Sequence, residues 1–239
     1  QYAVCITPDR LPRAAAVAAR VERFGVFVDS VEVARALAAF VRADGAMIGA
    51  WIEIDCGQHR TGTDPDGEAL LAIADALGDG PVRLDGVATH AGHSYDARGA
   101  AALAAAAEAE RAAVTRAAER LRAAGHAVPG ISAGSTPTAL HLASAAGLTE
   151  LRPGVYMAGD LFQAGLGALT EDAIAVSVLA SVISHGRDPD RMLLDAGALA
   201  LSKDRSTAAL PQDLGYGRVV AVGEDAALCP LLVDAVNQE

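Results

Sequence analysis

The feature that most constrains this chain is an alternation. Over the first 165 residues, short apolar runs at 2–7, 25–30, 47–55, 84–90, 130–133 and 148–153 take turns with Ala/Arg/Glu segments of helical period. Strands separated by segments long enough for a helix pair in parallel, with the helices packed over the sheet. The helix boundaries carry their own signals. Pro8 and Pro12 suit an opening helical turn, Ser30 is placed to cap a helix over 31–43, and a long Ala-rich helix over 100–124 stops at Gly125. Six such units are fewer than the eight that close a barrel, and no GxGxxG fingerprint marks an open nucleotide-binding sheet. The first run starts at residue 2 and the last apolar run reaches residue 236, so neither end has the polar tail usual for a domain. The expected fold class is α/β: a partial (β/α)8 TIM-type barrel lacking its first two strands. Past this region the pattern changes, with β-rich runs at 174–183, 191–195, 217–222 and 228–236 and no helices between them. A barrel domain over 1–165 is therefore expected to precede an incomplete, mainly β domain over 166–239.

Composition narrows the function. With 52% hydrophobic and 21% charged residues in 239, the chain can bury a sizeable core. A net charge of −11 without a Lys/Arg cluster repels a polyphosphate backbone, so nucleic acid is not an expected partner. No apolar run approaches the roughly 18–20 residues of a membrane helix, so no membrane partner is expected. Cys5, Cys56 and Cys229 are odd in number and scattered, which fits a reducing, cytoplasmic location.

In a parallel barrel the chemistry sits at the carboxyl ends of the strands, and there the sequence turns polar. Asp55-Cys-Gly-Gln-His-Arg-Thr-Gly62 follows the third run and could aim Arg60, a permanent charge with planar donors, into the barrel mouth. Thr89-His-Ala-Gly-His-Ser-Tyr95 follows the fourth. The pair His90 and His93, without Cys, Asp or Glu at ligand spacing, is weak as a zinc motif and suits hydrogen bonding and acid/base work instead. Ser132-Ala-Gly-Ser-Thr-Pro-Thr138 leads into a short helix, where hydroxyls and unpaired N–H groups can hold a phosphate. Arg152-Pro-Gly-Val-Tyr156 ends the sixth run, and Gly154 lets backbone approach a ligand. Each has a plainer structural meaning: a surface arginine, core histidines, an N-cap, a Pro-Gly turn. On adjacent strands, the last two motifs reinforce each other.

These four motifs, extended back to Trp51-Ile-Glu-Ile and joined by Asp195-Ala-Gly197, resemble in order the D-threonine aldolase and D-serine dehydratase family, pyridoxal phosphate enzymes of the alanine racemase type. The resemblance implies roles by position. Ser135, with the backbone of Gly134 and Thr136 and with Gly154, Val155 and Tyr156, matches the phosphate anchor. Arg152 matches the arginine facing the pyridine nitrogen, His90 the histidine supporting it, and Arg60 the arginine near the cofactor's phenolic oxygen. His93 and Tyr95 belong to the GHxY pattern on the substrate side, with base catalysis the role to test. The partner implied is a small D-amino acid, with a homodimer as the assembly.

The departures matter as much. Schiff-base chemistry needs a lysine amine, and the single lysine, Lys203, lies past the barrel, whereas the family's lysine ends the first barrel strand. Family members also hold a divalent metal, of Zn or Mn type, through a His and a nearby Cys or Asp; no metal ligand is assigned here, and Cys229 reads as a buried apolar residue. The resemblance therefore implies the central portion of a lyase acting on β-hydroxy D-amino acids, by retro-aldol cleavage or by loss of water and ammonia, with the 239 residues alone not competent. Racemisation on the same fold, a non-catalytic pyridoxal phosphate carrier, and a metal-dependent barrel hydrolase using His90 and His93 are the alternatives.

Overall fold

The computed structural model describes residues 5–188, 190–223 and 228–237. The chain forms two compact units, one ending at Gly154 and one beginning at Val155. In the first unit a 3-10 turn, Pro8–Arg10, leads into α1 (Leu11–Ala18), and then strands and helices alternate: β1 (Gly25–Val28), α2 (Val31–Asp44), β2 (Gly49–Glu53), α3 (Glu68–Gly78), β3 (Arg83–Ala88), α4 (Ala100–Ala123), β4 (Gly130–Ala133), α5 (Thr136–His141) and β5 (Glu150–Leu151). The five strands make one parallel sheet in sequence order, as crossover helices require.

The strands are nearly continuous apolar runs because helices pack over them: Val28, Ala50, Ile52 and Val87 are fully buried. Against them pack Leu37, Ala38 and Val41 of α2, Leu70, Ile73 and Leu77 of α3, and Val114, Ala117 and Leu121 of α4, all in one cluster. Each fully buried Leu or Ile contributes about 1.5–3 kcal/mol. Local signals set the ends: the Ser30 hydroxyl accepts from the Val33 N–H to start α2, and Gly45 ends it in the left-handed region at φ 80°. Strand spacing between β3 and β4 depends on Gly130. A Cβ there would lie 2.3 Å from the Trp51 ring and 2.7 Å from the Asp85 carbonyl oxygen.

Of the six expected runs, five hold the strands; β4 fills its run, and the other four strands are shorter than theirs. The first, 2–7, lies outside the described residues up to residue 4; over 5–7 the chain is not a strand, although the Ile6 N–H donates to the Phe27 carbonyl at 2.9 Å, as a neighbour of β1 would. The sixth shrinks to Glu150–Leu151, because Pro153 has no N–H to extend the ladder.

The second unit contains α6 (Leu161–Gly165), an antiparallel pair β6 (Val182–Ser184) with β7 (Leu193–Leu194), the single turn α7 (Ala198–Leu201), and a second antiparallel pair β8 (Arg218–Val220) with β9 (Leu228–Leu232). The strand expected over 174–183 is corrected: only its end is β. Residues 175–179 are mostly exposed and find no ladder, and β propensity without a paired neighbour or a covered face does not hold a strand. Cys229 falls outside the residues whose side chains are described. Among the described residues, no helix is long and apolar enough to cross a membrane.

Gly130→Ala is expected to destabilise the protein by about 1–3 kcal/mol, since both neighbours are part of a packed sheet. Urea unfolding should show a lower midpoint with an unchanged slope.

Candidate cofactor site

The carboxyl ends of β3, β4 and β5 converge on Arg152. Its Nε donates to Ser132 Oγ at 2.8 Å and its Nη2 to the Thr89 carbonyl oxygen at 2.6 Å, while its guanidinium carbon lies 5.6 Å from the Phe27 ring centroid. Ser132 Oγ in turn donates to Glu150 Oε1 at 2.6 Å. Burial pushes the Arg152 pKa down from its ordinary value, and the charges of Glu150, Glu110 and Glu53 oppose that. A guanidinium stays protonated at neutral pH under such pressure. Its third nitrogen, Nη1, has no hydrogen bond among the described residues.

Beside it, the turn after β4 is built on a glycine. Gly134 sits at φ 117°, and a Cβ there would lie 3.0 Å from the Arg152 amide nitrogen. Its N–H donates to Glu110 Oε1 at 3.1 Å, and its carbonyl accepts from His90 Nδ1 at 3.2 Å, which places a proton on that ring nitrogen. Ser135 then caps α5. Its Oγ accepts from the Thr138 N–H, and Thr138 Oγ1 accepts from the Ser135 N–H at 2.9 Å, a reciprocal capping box. The amides of Gly134 and Ser135 are thus used within the protein. Ser135 and Thr136 are both buried.

The loop after β3 winds into a 3-10 turn, Gly92–Asp96, carrying His93 and Tyr95. Between them Ser94 is fully buried, with its Oγ 3.0 Å from Ser135 Oγ. His93 Nδ1 is buried without a hydrogen-bond partner. Such an atom is costly to leave unmatched, and a bound group or water can complete it.

The loop after β2 is organised by Asp55, whose carboxylate accepts from the Gly57 N–H at 2.8 Å, the His59 N–H at 3.0 Å and His59 Nδ1 at 2.6 Å. Burial raises its pKa, but these three partners outweigh burial and hold it below the ordinary carboxyl value. Arg60 is exposed, and no hydrogen bond or ion pair among the described residues joins it to the other candidates. Gly154 is exposed with open space where a Cβ would be. Val155 and Tyr156 begin the second unit on a 3-10 turn, Val155–Met157. Lys203 is exposed, also in the second unit.

The structure therefore links His90, Gly134 and Ser135 at the turn after β4, ties on the His93 and Tyr95 turn through Ser94, and sets the Arg152 backbone beside Gly134 while its side chain bonds Ser132 and Thr89. The hydrogen bonds holding Arg152 come from Ser132 and Thr89, not from His90. Sequence reasoning passed over Ser94, Ser132 and above all Glu110, a buried carboxyl in the apolar stripe of α4. The readable trace was its place at helical spacing between Ala107 and Val114.

For pyridoxal phosphate these residues fit: a half-buried guanidinium with a nitrogen uncommitted among the described residues, an orphaned imidazole nitrogen, and a glycine turn too tight for a side chain. For a divalent metal they do not fit, because the described residues contain no group of three His, Cys, Asp or Glu that could hold one. His90 and His93 accordingly form no such cluster.

The family described as "Alanine racemase, N-terminal domain" matches residues 5–161. The chain belongs to that family. A serine dehydratase domain matches residues 175–239. D-threo-3-hydroxyaspartate dehydratase of Delftia sp. (strain HT23) is 48% identical over 239 residues, which is 100% of this chain and 63% of that protein. D-serine dehydratase of Dictyostelium discoideum is 29% identical over 215 residues, 85% of this chain and 54% of that protein. The solved structure of the Delftia enzyme superposes with a TM-score of 0.94 at 45% identity, covering 100% of this chain and 63% of that one. One solved variant of it is described as the metal-free form. The chain thus spans between 54% and 63% of the length of these relatives. The family and the barrel-type fold read from the motifs are borne out.

Two outcomes are expected. Burial, only partly offset by the Thr89 hydrogen bond, raises Cys56 to about 11 with the charges of Glu110 and Asp55 adding to it, and burial beside Glu53 raises Cys5 as well. At pH 8 iodoacetamide should leave both native thiols unmodified and label them after denaturation, as read by peptide mass mapping. The depressed Asp55 pKa stabilises its loop above the unfolded carboxyl value of about 3.9, and this is lost as pH falls through the lower folded value. The Gly57 amide resonance should titrate below that ordinary value, and Asp55→Asn should abolish the titration.

Proposed function

We propose that the whole protein is a pyridoxal phosphate-dependent lyase that removes water and then ammonia from β-hydroxy D-amino acids. The observation that carries this reading is the 48% identity to a hydroxyaspartate dehydratase along the entire chain. The serine dehydratase match over 175–239 favours dehydration over aldol cleavage.

Arg152 would hold the pyridine nitrogen end of the cofactor, with Thr136, Gly154, Val155 and Tyr156 toward the phosphate and Arg60 near the phenolic oxygen. The cofactor supplies a conjugated ring that takes up the negative charge developing at the substrate Cα. Arg152 keeps its own protons, because its acceptors Ser132 and Thr89 stabilise the charged form, so it would accept no proton from, and give none to, a bound ring nitrogen. The Gly134 carbonyl holds the Nδ1 proton of His90 and fixes the ring's orientation. His93, whose buried Nδ1 is unmatched, would take or return a proton on the substrate side, and Tyr95 lies on the same turn. Lys203, exposed in the second unit, is not the covalent anchor, so the 239 residues alone would not be competent. A divalent metal belongs to this reading for the whole protein, on the strength of the metal-free variant of the Delftia enzyme. The cytoplasm is the proposed location, in keeping with the free thiols Cys5 and Cys56, and a homodimer the proposed assembly.

Full-length enzyme given D-3-hydroxyaspartate or D-serine should yield ammonia with oxaloacetate or pyruvate respectively. Glycine and an aldehyde from D-threonine, without those products, would replace dehydration by aldol cleavage. His93→Gln should cut turnover at least about 100-fold while sparing cofactor absorbance. Borohydride reduction followed by peptide mapping should locate the cofactor on a lysine other than Lys203.

A further inference from the structure

Glu110 is an acidic side chain where an apolar one is expected. α4 buries Leu103, Ala107, Glu110, Val114, Ala117 and Leu121 along one stripe, and Glu110 is only 3% exposed. Among the described residues, no arginine, lysine or histidine bonds it. Instead its Oε1 accepts two backbone N–H groups, Ala91 at 2.8 Å and Gly134 at 3.1 Å. Ala91 opens the loop that carries His93 and Tyr95, and Gly134 opens the turn that carries Ser135 and Thr136. One oxygen thus pins two adjacent loops from below. Two further contacts span the same gap: Ser94 Oγ with Ser135 Oγ at 3.0 Å, and His90 Nδ1 with the Gly134 carbonyl at 3.2 Å.

We propose that Glu110 is a positioning residue: its single carboxyl oxygen sets the spacing between the substrate-side loop and the phosphate-side turn, so that the two move as one body. Ser94 is the second strut of the same bracket. The role of these loops toward cofactor and substrate rests on the function proposed above; the mechanical coupling between them does not.

The geometry dictates the variants. Glu110→Gln keeps an oxygen able to accept both N–H groups, whereas Glu110→Leu keeps the volume and leaves two buried donors unmatched. Ser94→Ala removes only the second strut. Hydrogen exchange of the full-length protein, without added cofactor, reads the coupling directly. Glu110→Leu should accelerate exchange of the 91–96 and 134–138 amides together, by roughly tenfold or more, while α2 and α3 stay protected. Ser94→Ala should accelerate exchange at 134–138, although the substitution lies in the other loop. With pyridoxal phosphate titrated by absorbance, Glu110→Leu should weaken binding by about tenfold or more and Glu110→Gln by no more than about twofold.

Acceleration in one loop only, in both Glu110→Leu and Ser94→Ala, would overturn the proposal. So would a Glu110→Gln variant as impaired as Glu110→Leu. If Glu110→Leu fails to fold, Glu110→Gln and Ser94→Ala decide the matter by the same exchange pattern. Wild-type protein that binds no pyridoxal phosphate yet shows the linked exchange would sink the functional reading and leave the bracket standing.

Discussion

A guanidinium kept mostly out of water must be met by acceptors wherever it is not in use, and Arg152 imposes that demand on the carboxyl end of the sheet. Each strand in reach answers it differently. β1 offers the face of Phe27, the residue after β3 offers the Thr89 carbonyl, β4 offers the Ser132 hydroxyl, and β5 offers Glu150 through Ser132. These four can meet only because the parallel ladder sets Ser132 opposite Glu150. A slip of one residue in β4 or β5 would turn these side chains to the other face and leave the charge unmatched. Fold and site are therefore joined at the level of strand register.

Much of this was legible beforehand. The alternation of apolar runs with helical segments gave the parallel sheet, and Ser30, Pro12 and Gly125 marked helix ends that the structure places within a residue or two. Polar motifs following each run identified the loops that gather at the strand ends, and their order along the chain was specific enough to name a family. What stayed hidden depends on partners distant in sequence. Nothing local to Glu110 says that its oxygen meets amides 19 and 24 residues away. Nor could residue type alone show that the amides of Gly134 and Ser135 would be spent inside the turn. The 174–183 run read as a strand because its residues favour one, but a strand also needs a neighbour, and that requirement is not written in the segment itself.

The loop after β2 follows a different rule from the other two. Its order comes from one carboxylate, Asp55, gathering the backbone and ring of His59, which sits in the left-handed region at φ 55°. The Gly62 N–H also donates to Asp29, and Gln58 and Gly57 lie against Gly92 and His93, so this loop too is packed on the β3 loop, which is itself tied to the β4 turn and α4.

The position of Glu110 also sets how the chain can change length. Each residue of an α-helix turns the side chains by about 100°, so one residue gained or lost between Ala100 and Glu110 would swing the carboxyl away from both amides. Insertions are more easily absorbed by surface loops, where no helical phase has to be kept. The front half of α4 has no such freedom, and its residue count is as much a part of the site as any side chain.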